Sequence, residues 1–317
     1  MNATAFSPEN PKGGGPGGAG SSAAAAGRAR STGAERPEPT RPFRWDLVRP
    51  DQLGSLLDGV EEPGLWFLDE LVECAGRVLA QSAGGDLHFV GRSVDSLYDL
   101  LSGALAGTGW QDRLHPLPLS LYGYDGQAFN PTELRQLRTN LTAAGLAPAE
   151  LMRGRPTVFV DLVYQGSTFG NLYAVLREWI DDEHAQWDVI RRQLRFVGIT
   201  WRRKTSPNTW RWQQAAEWVA ELPATAIRNV SVDGAVWHYF GNAQAKTAAS
   251  FRRTRWSDPE VAEPPRDDQS RFALAEAVSL VEQAGTPEIR HRIADRMSRE
   301  PTTGERWSRE LQRDLRR

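Results

Sequence analysis

Between Asp86 and Trp201 the chain alternates short runs of β-branched and apolar residues with segments of helical periodicity, and that alternation leaves few folds open. Leu87–Val90 reads as a strand, and Val94–Leu105 as a helix with Leu97, Leu100, Leu101 and Leu105 along one side. Leu117–Tyr122 reads as a second strand, followed by a helix over Thr132–Ala144. Thr157–Val160 is the third strand, with a helix over Thr168–Ile180, and Phe196–Trp201 the fourth, with a helix from about Trp212 to Glu221. Continuous apolar strands separated by helices are buried on both sides. The pattern therefore predicts an α/β fold, a mostly parallel sheet with helices on both faces. Ligands of such sheets bind outside the carboxyl ends of the strands. Asp161 and Gly91-Arg92-Ser93 both fall there.

The flanks differ in kind. Residues 1–42 are rich in Gly, Ala, Pro, Ser and Arg, with Phe6 almost alone as a large apolar residue. Such a segment buries too little to offset its ordering entropy, and its composition predicts a disordered leader. Leu65, Trp66, Leu68, Leu71, Val72, Cys74, Ala75, Val78 and Leu79 recur at helical spacing, with Pro63 as a start and Gly84-Gly85 as a stop. Ser257–Gln269 has the composition of a linker, Phe272–Val281 that of an amphipathic helix, and the charged end Arg306–Arg317 that of a frayed helix. The expected division is a leader over 1–42, an α/β domain over 43–255, and a linker with a helical C-terminal extension over 256–317.

Composition narrows the chemistry. The 317 residues carry a formal net charge of −2, which gives no global reason to expect nucleic acid or an anionic membrane as partner. Cys74 is the single cysteine, so an intramolecular disulfide and thiol-based zinc sites are excluded. Met1–Thr4 lacks the basic-then-apolar pattern of a secretory signal, and no apolar run reaches the ~20 residues of a spanning helix. A cytoplasmic location is the expectation. The phosphate loop ending in Gly-Lys-Ser/Thr and the dinucleotide glycine fingerprint are both absent. His88, His115, His184, His238 and His291 show no paired metal spacing.

The segment Thr157–Phe169 carries the chemistry. A β-branched run ends on Asp161, and Gly166-Ser167-Thr168 then opens a helix. Backbone N–H groups at a helix start, with the positive end of its dipole, suit a phosphate. A carboxylate beside them suits a ribose hydroxyl or a hydrated divalent metal. The segment resembles the phosphoribosyl-diphosphate motif of type I phosphoribosyltransferases: an apolar strand, two acids, two apolar positions, two small hydroxyl residues, then Gly, a variable residue and Thr. Here Val160-Asp161 takes the acid pair, Leu162-Val163 the apolar pair, Tyr164-Gln165 the hydroxyl pair and Gly166-Ser167-Thr168 the end. Register is kept, but the first acid is a valine and the two small residues are large.

The resemblance implies magnesium-dependent transfer of ribose 5-phosphate from phosphoribosyl diphosphate to a nitrogenous acceptor, with release of pyrophosphate. It implies that Gln165, Gly166, Ser167 and Thr168 hold the 5-phosphate. Asp161 would orient the ribose or hold the metal, directly or through water. By position, Gly91, Arg92 and Ser93 form the pyrophosphate loop, with Arg92 bonding phosphate oxygens. Lys204 and Trp237 are the acceptor candidates, and a homodimer is the candidate assembly. Two other readings stand beside it. A non-catalytic member of the same fold would bind a ribose phosphate as sensor or scaffold, which Val160 favours. An RNA- or protein-interaction module would use the basic, Trp-rich loop 201–212.

Overall fold

The computed structural model describes residues 37–121, 129–202 and 211–317. In chain order the elements are α1 (Leu68–Gln81), β1 (Asp86–Val90), α2 (Asp95–Ala104), β2 (Leu114–Leu117), α3 (Pro131–Ala143), α4 (Pro148–Leu151) and β3 (Thr157–Leu162). There follow α5 (Ser167–Asp182), α6 (Trp187–Gln193), β4 (Leu194–Trp201), β5 (Ile227–Val232), α7 (Gly234–His238), α8 (Asp268–Ala284), α9 (Pro287–Ser298) and α10 (Arg306–Leu315). The five strands form one parallel sheet in the order β2-β1-β3-β4-β5. The α/β architecture expected from the alternation is the one found. From β1 the chain moves outward to β2, then crosses back to β3 and continues to β4 and β5. That reversal opens a crevice between β1 and β3, the topological switch point at which ligands of such sheets bind.

Side-chain alternation along β3 divides the core. Val158 and Val160 face the layer of α1 and α2, while Phe159 faces that of α3 and α5. All three are fully buried. The first layer is completed by the C-terminal helices: α8 packs on α2, α9 on α1 and α10 on α9. Ile289, Ile293 and Met297 at helical spacing form the buried stripe of α9, a helix that the sequence reading passed over. The charged end reads as frayed, yet Leu311 and Leu315 of α10 are fully buried. Local chemistry starts the helices where it should. Asn130 caps α3, accepting from the Thr132 and Glu133 N–H groups at 3.0 and 2.9 Å, while Glu133 returns a bond to the Asn130 N–H.

Three expectations need correction. The second strand lies at Leu114–Leu117, not Leu117–Tyr122; pairing with β1 stops at Leu117 and Leu119 instead bridges Phe251, while 122–128 lie outside the described residues. The helix expected over Trp212–Glu221 is two 3₁₀ turns, Trp212–Gln214 and Glu217–Glu221. Trp212 and Trp218 hold that segment by packing on Phe169, Phe196 and Tyr173, so aromatic anchoring sets its path. Ser257–Gln269 is not merely a linker: Val261 is buried and its carbonyl accepts from the Phe43 N–H at 2.7 Å. Cys74 lies in the core, where burial pushes its thiol up to about 12 and leaves it unreactive.

Candidate functional site

The ends of β1 and β3 lie level, with Phe89 paired to Val160, so the turn after Val90 and the carboxylate of Asp161 meet at the switch point. Gly91 makes that turn at φ +73°, a backbone conformation that favours glycine, and Arg92 and Ser93 follow it into α2. Ser93 Oγ donates to Asp161 Oδ1 at 3.1 Å, and the Leu162 N–H donates to the same oxygen at 2.7 Å. Thr168, in the first turn of α5, lines the same cleft and favours the ionised carboxylate as well. Asp161 is buried, and burial pushes its carboxyl up to about 7 against the opposing pull of these bonds.

A cleft of about 280 Å³ opens above Asp161. Its walls are the β1 turn, Pro118–Leu121 after β2, Thr168, and a strap that leaves α7 and crosses the sheet's carboxyl edge. The strap runs through a π-helical turn, Tyr239–Ala243, and rejoins the sheet where Ser120 N–H donates to Phe251 O at 3.0 Å. It brings Lys246, Ser250 and Arg252 to the cleft. Lys246 Nζ donates to Phe240 O at 3.0 Å and Gln244 Oε1 at 2.6 Å. Gln244 in turn donates to Ser96 Oγ at 2.6 Å and to Glu276, which also accepts from the Tyr239 hydroxyl at 2.5 Å. Arg92 Nη1 donates to the strap at Ala248 O, 2.8 Å away.

Burial lowers the Lys246 ammonium to about 8, with Asp95 the chief opposing influence and Arg92 reinforcing the drop. Burial lowers Arg92 too, and Arg252 adds to it. Three cations thus converge on one cleft, and among the described residues none of them is ion-paired. Like charges gathered without carboxylate partners are disposed to receive an anion.

The structure brings Gly91, Arg92, Ser93, Asp161 and Thr168 to this cleft and places Gln165, Gly166, Ser167 and Trp237 outside its walls. Gln165 and Ser167 are exposed outside its walls. Gly166 is buried under Trp212: at φ +80° it caps α5, and a Cβ there would lie 2.3 Å from Trp212 Cε3. Its glycine is required by that indole. Trp237 lies against Trp201 and Tyr164, at ring separations of 6.3 and 6.2 Å, rather than in the cleft. Lys204 lies outside the described residues. Trp212, part of the Trp-rich loop, is buried and donates to Asn229 Oδ1 at 2.7 Å.

Lys246, Arg252 and Ser250 were not legible as site residues, because the strap has no periodicity or motif. One signal was present. The chain has only three lysines, at 12, 204 and 246, among 38 Lys and Arg residues. Of these three, Lys246 is the one among the described residues, and it lines the cleft.

As a metal site the donor set is poor. Among the described residues Asp161 is the one carboxylate lining the cleft, its Oδ1 already accepts two bonds, and Val160 is sealed in the core. Among the described residues no group of three or more His, Cys, Asp or Glu side chains is placed to hold a metal ion. Nor is any described helix long and apolar enough to cross a membrane. Compared with protein-family models, curated proteins and solved structures, the chain matches none.

Proposed function

We propose that the switch-point cleft binds phosphoribosyl diphosphate and supports transfer of its ribose 5-phosphate to a nitrogenous acceptor, releasing pyrophosphate. The observation that carries this reading is the convergence of Arg92, Lys246 and Arg252 on a cleft floored by the Asp161–Ser93–Thr168 cluster. The cations match a diphosphate, and the cluster offers hydroxyl and carboxyl groups of the kind that hold a sugar. Helix α5 begins at Ser167, and the free N–H groups of its first turn suit a phosphate near Thr168. In the transfer, the bond from the ribose anomeric carbon to the diphosphate breaks as negative charge gathers on the leaving group. Fixed cations at that point stabilise the developing charge. Asp161, when ionised, faces the ribose on which positive charge develops.

The resemblance in the strand-to-helix segment supplies the reaction; the cleft supports the ligand class. One observation favours a second reading, in which the protein binds the ribose phosphate without turnover. The position of the first acid is filled by Val160, whose side chain faces α1 and α2, away from the cleft. The test is a pyrophosphate-release assay with phosphoribosyl diphosphate and a panel of nitrogenous bases, run beside calorimetry. Binding with acceptor-dependent release supports transfer. Binding without release supports the sensor, and no binding overturns both.

A further inference from the structure

We infer that the cleft takes its diphosphate ligand as the free anion, with Arg92, Lys246 and Arg252 supplying the positive charge that a divalent cation would otherwise bring. This rests on the ribose-diphosphate reading above and goes beyond it by naming the form of the ligand that binds. An ammonium carries three N–H donors and a guanidinium five. Lys246 spends two, on Phe240 O and Gln244 Oε1, and Arg92 spends one on Ala248 O, so both keep donors for a ligand. The nearby acids are engaged elsewhere. Asp95 and Asp99 are held by Arg44, and Glu276 by Gln244 and Tyr239. Asp95, Asp99 and Glu276 act on Lys246 only at longer range, and none of them is ion-paired with Arg92, Lys246 or Arg252.

The same arrangement disfavours a metal–diphosphate complex. A divalent ion carried in by the ligand would cancel the negative charge to which the three side chains respond. It would also enter a space where, among the described residues, three positive groups stand beside one carboxylate. The half-buried lysine is otherwise a liability to the fold, since withdrawing an ammonium from water with no ion pair is costly. An incoming anion relieves that cost.

The experiment is calorimetric titration of the full chain with inorganic pyrophosphate and with phosphoribosyl diphosphate, in EDTA and again in excess magnesium. The inference predicts binding of both ligands in EDTA at least as tight as in magnesium. It predicts a loss of tenfold or more in Lys246→Met that Lys246→Arg largely restores, with melting curves showing both variants folded. Binding that appears only in magnesium, or tightens in it, would overturn the inference while leaving the ribose-diphosphate reading intact. Binding of neither ligand in either buffer would overturn both.

Discussion

At the scale of single residues, burial shifts Asp161 and Lys246 in opposite directions, each toward its neutral form. Asp161 has its folded pKa raised from 3.8 to about 7, so the folded protein binds the extra proton between those values. Its contribution to stability is present at acid pH and is lost as pH rises toward 7. Asp161→Asn should therefore melt at least about 2 °C higher than the parent at pH 8, with the gap closing toward pH 4. If transfer occurs, the same change should lower turnover by at least ~10-fold, equal to about 1.4 kcal/mol of transition-state stabilisation. Lys246 runs the other way: its folded pKa lies below the ordinary 10.5, at about 8, among Asp95, Asp99, Glu276 and Arg92. Its ammonium, and with it pyrophosphate affinity, should decline as pH is raised from 7 to 10, read by calorimetry. Val160→Asp should not restore a second ribose contact. It would bury a carboxylate in the core and cost about 3 kcal/mol or more, measured by denaturant unfolding.

Among the elements, the strap and α8 behave as one device. Glu276 holds Gln244, Gln244 holds Lys246, and Tyr239 closes the set from the start of the strap. Glu276→Ala should weaken pyrophosphate binding several-fold although residue 276 lies outside the main cleft, and Lys246→Met should make that loss disappear in a double-mutant cycle. Gly166→Val should destabilise the fold through its collision with Trp212. The loss should appear as a melting temperature lowered even without ligand, which a phosphate-only role would not produce. The sequence segment around Asp161 made the strand, turn and helix legible because apolar run, acid and small loop are all local signals. It did not separate Gly166, which serves an indole from a later segment, from Thr168, which serves the cleft. The strap stayed hidden for the same reason. Residues 239–252 are placed by bonds to Ser96, Ser120 and Glu276, which no local pattern encodes.

For the whole molecule, alternation of apolar strands and helices was enough to specify a parallel sheet, because burial on both faces admits little else. The strand order, and hence the position of the switch point, depends on which strands pair, and local sequence is silent on that. The C-terminal helices read as an appendage but complete the layer over α1 and α2, with Leu280, Ile293, Met297, Leu311 and Leu315 in the same core as Val160. Truncation after Arg266 should accordingly abolish cooperative unfolding, judged by near-ultraviolet circular dichroism and melting. The account's central claim is that a ribose diphosphate sits at the β1–β3 crevice. A crystal structure of the full chain grown with phosphoribosyl diphosphate tests it most directly. The account predicts the diphosphate among Arg92, Lys246 and Arg252, with the ribose over Asp161. A ligand seated elsewhere, such as on Trp201 and Trp237, with the crevice free of it, would contradict the account.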